Sequence, residues 1–192
     1  MDPKIHAELV RLSHENFEPA NQILIKAGVP LYQIERGEHE IDLAPYMHAF
    51  EAALEVPLWP YNIARLVHAF AHKSVRNQLW PIVKKLLYVD WRSAEPPLGS
   101  DAMTIRAANN AEYAKDEMGT AMWKIASSKH KKEILELLAD ESLGSVRVAF
   151  ICTVRRLFKS DARAILLKYA SHPQLGVEAS HQLKQIEKKE QR

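Results

Sequence analysis

The feature that most constrains the fold of this chain is an apolar pattern that recurs about every 30 residues in its second half. Within each occurrence the apolar residues have helical spacing. The first occurrence starts at Met118, the second at Ala149 and the third at Ala179, 31 and 30 positions apart. A period of this size predicts stacked helix pairs, each burying its apolar side against its neighbours. The members are Met118, Ala121, Met122 and Ile125; Ala149, Thr153 and Leu157; and Ala179, Leu183 and Ile186.

The composition agrees with a helical protein that has a sizeable core. The 192 residues are 47% apolar and include only six Gly, and Ala, Leu and Ile outnumber the aromatic residues, which favours helix over strand. The single cysteine, Cys152, excludes an intrachain disulfide, and its apolar surroundings predict a buried, unreactive thiol. No stretch approaches the ~20 apolar residues that span a bilayer, and no secretory signal is evident. We therefore expect a cytoplasmic protein without a membrane anchor.

Prolines and glycines divide the chain into three predicted parts. Residues 1–40 form an N-terminal helical cap, in which Pro19 opens a helix that Gly28 ends. Residues 41–187 form the repeat domain, which is interrupted by a loop insertion at about residues 90–102. Residues 188–192 form a charged tail that we expect to fray. Within the repeat domain, Pro60 occupies a first helical position and Pro81 lies inside a later helix.

Two segments carry a more specific pattern. Residues 79–90 are Leu-rich, contain Pro81 and end in Leu-Leu-x-x-Asp, and residues 134–140 are similar but lack the proline. After Asp140 comes a short turn and then Val146-Arg147-Val148-Ala149, whereas the last unit has Val177-Glu178-Ala179 and lacks the arginine. This pattern resembles HEAT (HEAT/armadillo-type) helical repeats, most closely over residues 130–187. The resemblance implies an all-α, right-handed α-α superhelix, a HEAT-like solenoid of antiparallel helix pairs, in which the second helices form a concave inner wall.

The predicted concave wall would carry a polar strip. Residues three or four apart share one side of a helix, and opposite the buried pattern these are Asp116, Thr120 and Lys124; Arg147, Ile151 and Arg155; and Glu178, His181 and Gln185. Arginine pairs with carboxylates through two hydrogen bonds, so Arg147 and Arg155 predict a partner protein with an acidic surface. Alternatively, Arg147 pairs with Asp140 or Asp116 to brace the stack, and the two roles are compatible.

Charge and tryptophan placement add to this partner-binding prediction. Residues 120–192 carry 14 Lys and Arg against 8 Asp and Glu, whereas residues 1–119 carry 12 against 16, so the second half is basic. Trp91 and Arg92 lie in the predicted loop, and Trp123 lies at the edge of the first apolar pattern. Trp and Arg are enriched among the residues that dominate binding energy. We therefore predict that Trp91, Arg92 and Trp123 contact the partner.

Motifs for catalysis, cofactors or metals are weak. His68 and His72, four apart on one helix, supply half of a tetrahedral metal site, and no further ligand is identifiable. HEAT-like di-iron hydroxylases use four His-Glu pairs at repeat-equivalent positions, but His14-Glu15 and His39-Glu40 lie outside the clear repeats. No Gly-x-Ser-x-Gly or phosphate-binding loop occurs. We predict no enzyme, cofactor or metal, but a protein-binding module that serves as scaffold, adaptor, or immunity or inhibitor protein.

Nucleic-acid binding is the alternative. Basic residues of the second half could neutralise phosphates, and HEAT-like DNA glycosylases bind duplex DNA on a concave basic surface. Those enzymes combine an acidic residue with aromatic residues in one cleft, and the sequence does not identify such a group. The residues concerned are Lys129, Lys131, Lys132, Arg147, Arg155, Arg156, Lys159 and Arg163.

Overall fold

A computed structural model describes residues 3–37, 40–91 and 101–191. Across these ranges every regular element is helical and none is a strand, which confirms the predicted all-α class. Short 3-10 turns precede α3, α5, α7, α8 and α9. The helices are α1 (Pro3–Lys26), α2 (Leu31–Glu35), α3 (Met47–Leu54), α4 (Pro60–Phe70), α5 (Arg76–Leu86), α6 (Asp101–Ile125), α7 (Lys131–Ala139), α8 (Arg147–Phe158), α9 (Ala162–Tyr169) and α10 (Gly176–Glu190).

Proline and glycine set several of these boundaries. Pro60 opens α4 directly after Trp59, whose extended backbone begins the turn into the helix. Gly28 follows α1 with a φ of 71°, a left-handed conformation that suits a residue without a Cβ. Pro81 lies inside α5, as predicted. Pro19 does not open a helix, because it lies inside the continuous 24-residue α1; that prediction is wrong.

Helix packing follows the order of the chain. The N-terminal helix α1 packs against α3 and α4, and α4 packs against α6. The even-numbered helices then pack one against the next: α6 contacts α8, and α8 contacts α10. Each of them also packs against the shorter helix before it in the chain: α5 with α6, α7 with α8, and α9 with α10. This arrangement is compatible with a helical repeat fold.

The apolar pattern of the sequence is buried to different extents in the three helices. In α6, Met118, Ala121, Met122 and Ile125 have no exposed surface. In α8 and α10, Ala149, Leu157, Leu183 and Ile186 are only partly buried, whereas Thr153 and Ala179 are fully buried. The most deeply buried apolar residues of α8 are Phe150, Ile151 and Val154. The buried side of α8 is therefore centred nearer to residues 150 and 154 than to Ala149 and Leu157, and it is broader than the pattern predicts.

Gly119 marks the closest approach of α6 to the start of α8. A Cβ added at this position would lie 2.8 Å from Val146 Cγ1 and 3.3 Å from Ala149 Cβ. Carbon atoms pack best at about 3.5–4.0 Å, so a side chain at this position would displace Val146. Glycine here permits the close packing of α6 against α8.

Part of the predicted charged tail is helical. Helix α10 continues to Glu190 and so includes residues 188–190. Arg163 of α9 makes ion pairs with Glu187 at 3.6 Å and Glu190 at 3.3 Å. Lys188 and Lys189 lie in the last turn, where positive charge interacts favourably with the helix dipole. None of the helices in the described ranges combines the length and hydropathy that crossing a bilayer requires.

Candidate binding cleft

The residues predicted to form a polar strip do not share one exposed surface. Arg147 is only 3% exposed and Ile151 is fully buried. Both belong to the broad buried side of α8, which packs against α6, α7, α9 and α10. The strip therefore lacks its predicted centre. The prediction that Arg147 and Ile151 are surface residues is therefore wrong.

Arg147 braces the ends of neighbouring elements. Its guanidinium donates hydrogen bonds to the carbonyl oxygens of Gly144 (3.2 Å) and Leu138 (3.4 Å). It also donates to Gln174 Oε1 at 3.2 Å and lies 3.4 Å from His172 Nε2. The bracing role was predicted, but the partners are carbonyl oxygens, an amide and an imidazole instead of Asp140 or Asp116.

The two aspartates considered as partners of Arg147 have other partners. Asp140 accepts hydrogen bonds from the backbone and side chain of Ser142 and from the Tyr88 hydroxyl, and these hydrogen bonds lower its pKa. Asp116 accepts a hydrogen bond from the Ser145 hydroxyl at 3.0 Å, and burial raises its pKa. Thr120, one turn later, donates its hydroxyl to the Asp116 carbonyl.

The remaining predicted residues of α8 and α10 join those two helices. Arg155 is exposed and donates to Gln182 Oε1 at 2.8 Å. Glu178 accepts hydrogen bonds from Gln182 (2.7 Å) and from the Cys152 thiol (3.2 Å), and the exposed His181 lies 3.5 Å away. Burial acts to raise the pKa of Glu178, but these contacts outweigh it and lower the pKa. The Cys152 pKa is raised to about 12, first by burial and then by Glu178, so this thiol stays protonated.

The predicted tryptophans have different surroundings. Trp91 is only 6% exposed, and its indole N–H donates to the Leu86 carbonyl at 3.2 Å. The prediction that Trp91 is exposed for binding is therefore wrong, because the ring packs into the core beside the end of α5. Arg92 lies outside the described residues. Trp123 is 39% exposed, which leaves much of its ring open to a ligand.

Trp123 and Lys124 lie in a cleft of about 1130 Å³, which we call the α4–α6 cleft. Its lining comes from α1, α2, α4, α6 and Arg156 of α8, together with residues of the connections after α2 and α4. Since α4 packs directly against α6, these two helices hold the polar residues of the cleft in fixed positions. Much of the lining is apolar: Phe17, Leu24, Leu31, Ile34, Ile41, Leu43, Ala64, Leu66, Ala69 and Ala71.

Aromatic rings accompany the two arginines of the cleft. The Arg65 guanidinium lies 5.2 Å from the Phe17 ring centre and 6.0 Å from that of Tyr61. The Arg156 guanidinium lies 5.8 Å from the Trp123 ring centre and donates a hydrogen bond to the Trp123 carbonyl oxygen. Cation–π contacts of this kind hold a guanidinium in place without neutralising it. Burial lowers the pKa of Arg156, which reflects a positive charge partly removed from water.

Positive charge exceeds negative charge in the cleft. Its lining includes four Lys and Arg residues but two carboxylates, Glu35 and Glu117. Glu117 interacts with His68, whose Nδ1 is 2.7 Å from Glu117 Oε2. In the described part of the chain, neither Arg65 nor Arg156 makes an ion pair with a carboxylate. The cations that line the cleft are Arg65, Lys73, Lys124 and Arg156.

The two histidines considered as metal ligands have other contacts. His68 places one ring nitrogen against Glu117 and the other against Lys124 Nζ. His72 Nδ1 lies 3.0 Å from the Ser74 hydroxyl oxygen. Throughout residues 3–37, 40–91 and 101–191, no three His, Cys, Asp or Glu side chains are grouped to hold a metal ion. Of the two His-Glu dipeptides, His39 lies outside the described residues.

Two residues of the cleft, Trp123 and Lys124, were predicted from the sequence to bind a partner, and most of the others were not. Arg65, His68 and His72 are three and four positions apart on or just beyond α4, and Tyr113, Glu117 and Lys124 are four and seven apart on α6. Both spacings put the side chains on one side of a helix. Each set of polar residues could have been found from its spacing alone. That the two sets face one cleft follows only from the packing of α4 against α6.

Comparisons with protein-family models, curated proteins and solved structures found no match to this chain. The function is therefore inferred from the geometry of the cleft. Three features define that geometry: an apolar lining, stacked arginine–aromatic pairs and an excess of positive charge.

Proposed function

We propose that this chain is a HEAT-like solenoid that works as a non-catalytic protein-binding module. In this proposal the α4–α6 cleft binds an acidic segment of a partner protein. The successive packing of α4, α6, α8 and α10, each with a preceding shorter helix, supports the solenoid. Such a module would serve as a scaffold, an adaptor or an inhibitor of its partner.

One observation carries the proposal: the cleft holds arginines that are stacked on aromatic rings and lack carboxylate partners among the described residues. A guanidinium fixed in this way is ready to make two hydrogen bonds to an incoming carboxylate. Arg65 and Arg156 come from different helices, α4 and α8. A ligand that reaches both would present at least two acidic groups.

The size and lining of the cleft favour a polypeptide segment. Pockets for small molecules are usually about 300–1,000 Å³, and this cleft, at about 1130 Å³, is larger. Its apolar residues would accept the side chains of the bound segment, and the half-exposed Trp123 would pack against one of them. Trp and Arg are the residues that contribute most to such interfaces.

The distribution of basic residues favours a protein over nucleic acid. Of the eight basic residues considered for phosphate binding, only Arg156 lines the cleft. Arg163 pairs with Glu187 and Glu190, and Lys132 pairs with Glu136. Arg147 is buried. A duplex binder neutralises many phosphates with cations on one continuous surface, whereas three of these eight residues are paired with carboxylates or buried.

Selection from a displayed random-peptide library tests the proposal. We expect peptides enriched in Asp and Glu with an interspersed aromatic or aliphatic residue, and binding that weakens as salt rises. A parallel titration with single- and double-stranded DNA and RNA at the same salt supplies the comparison. Enrichment of peptides without acidic residues, or tighter binding of nucleic acid than of any selected peptide, would overturn the proposal.

A further inference from the structure

Three titratable side chains form a hydrogen-bonded chain in the α4–α6 cleft. His68 belongs to α4, whereas Glu117 and Lys124 are seven residues apart on α6. His68 Nδ1 lies 2.7 Å from Glu117 Oε2, and His68 Nε2 contacts Lys124 Nζ. All three residues line the cleft. The order is therefore amine, imidazole, carboxylate, with the amine accessible to a ligand.

This order fixes the proton positions. A carboxylate accepts hydrogen bonds, so Glu117 selects the His68 tautomer that carries its proton on Nδ1. The lone pair on Nε2 is then free to accept a proton from Lys124. An imidazolium formed by that transfer would be stabilised by the adjacent Glu117 carboxylate. A nucleophile next to a base that a third group orients is the general arrangement for activating a side chain.

The surroundings of Lys124 also favour its neutral form. Burial lowers the pKa of Lys124, and the charge of Glu117 opposes this shift. Lys84 provides a contrast within the same chain, because its Nζ pairs directly with Glu133 Oε2 at 2.6 Å. Lys124 instead contacts an imidazole that can take its proton.

We propose that Lys124 forms an imine with a small anionic carbonyl compound, that is, an aldehyde or 2-oxo acid that carries a carboxylate. The other cations of the cleft, Arg156 among them, would bind the carboxylate. This reactivity goes beyond the binding of a protein partner and does not depend on it. The ligand would occupy only the part of the cleft around Lys124.

The reaction balances with the groups that are present. Lys124 ammonium transfers one proton to His68 Nε2, and the neutral amine attacks the carbonyl carbon as the C=O π pair moves to oxygen. A proton shift from nitrogen to oxygen gives the carbinolamine. The His68 imidazolium then protonates the hydroxyl group, the C–O bond breaks, water leaves and the nitrogen lone pair forms the C=N bond. The products are a protonated imine and one water, and His68 is neutral again.

Glyoxylate with cyanoborohydride is the direct probe, because cyanoborohydride reduces the imine to a stable carboxymethyl-lysine. The full chain is treated at neutral pH, and peptide mapping by mass spectrometry follows each lysine with time. We expect Lys124 to be modified before Lys84 and before the exposed Lys132. Modification of Lys124 no faster than these two would overturn the proposal, and this outcome requires no variant.

Variants test the roles of the amine and the imidazole. Lys124→Arg keeps the positive charge but has no primary amine, so the adduct at position 124 should be lost. His68→Gln can still accept a hydrogen bond but cannot take the proton. The labelling rate at Lys124 should therefore fall in His68→Gln. An unchanged rate would refute the proton transfer.

Discussion

The contact of Gly119 with the start of α8 gives the sharpest test of the packing. An alanine Cβ at position 119 would lie 2.8 Å from Val146 Cγ1, and the Val146 carbonyl oxygen and Ala149 Cβ would each be 3.3 Å away. Carbon pairs prefer about 3.5–4.0 Å, so Val146 would have to move by about 1 Å. Overpacking of this kind costs about 1–3 kcal/mol. Alanine is better than glycine in a helix by about 1 kcal/mol, so Gly119→Ala should destabilise by up to about 2 kcal/mol.

A double-mutant cycle with Val146→Ala isolates the contact. The second substitution removes the methyl group that the new Cβ would meet, so in that background Gly119→Ala should become neutral or stabilising by up to about 1 kcal/mol. We expect a favourable coupling energy of about 1–2 kcal/mol. Urea unfolding followed by circular dichroism measures the midpoint and slope for all four proteins. Additive effects, within about 0.5 kcal/mol, would show that α6 does not meet α8 at these residues.

Three further predictions concern buried polar groups. Asn62 is fully buried and donates to the Ser13 carbonyl at 2.8 Å, so Asn62→Ala should destabilise by about 1–3 kcal/mol in urea unfolding; no change would contradict the docking of α1 on α4. Arg147→Met should destabilise by about 2–3 kcal/mol, because the carbonyls that it pairs lose their donors; wild-type stability would mean that Arg147 is solvated. Burial lowers the pKa of His130, which stacks on Trp80 at 4.0 Å. The stability that neutral His130 contributes is therefore complete above pH 6.5, the pKa of this histidine in the unfolded chain. That stability is lost as the pH falls below 6.5. In urea unfolding at a series of pH values, His130→Gln should lose less stability than the wild type as the pH falls below 6.5. An identical loss would refute the claim that His130 is neutral in the folded protein.

The sequence predicted the helical class and several boundaries because those depend on local signals. Pro60 and Gly28 act on their own backbone, and the pattern from Met118 to Ile125 identified residues that are fully buried. Pro19 was misread because a proline at a possible helix start and a proline inside a long helix look alike locally. Only the extent of α1 on both sides of Pro19 distinguishes them.

The strip on α8 was misplaced for a physical reason. The repeat pattern placed the buried side of α8 at Ala149, Thr153 and Leu157, so Arg147 was predicted to lie on the opposite, exposed side. The structure buries Arg147 because carbonyl groups at the end of α7 and in the following turn accept its hydrogen bonds. These carbonyls are backbone atoms, and the sequence contains no side-chain signal for them. The cleft escaped prediction for a similar reason, since it requires α4 to contact α6 across the breaker-rich segment at about residues 90–102.

The central claim is that the α4–α6 cleft binds an acidic partner segment through Arg65 and Arg156. The most direct measurement is the affinity of a selected acidic peptide for the wild type and for two charge-reversal variants. Arg65→Glu/Arg156→Glu changes the cleft, and Lys129→Glu/Lys132→Glu makes the same change in net charge at exposed positions outside it. We expect the cleft variant to lose at least about tenfold in affinity, with a weaker salt dependence, and the control to stay near wild type. Equal losses in both variants, or none in the cleft variant, would contradict the account.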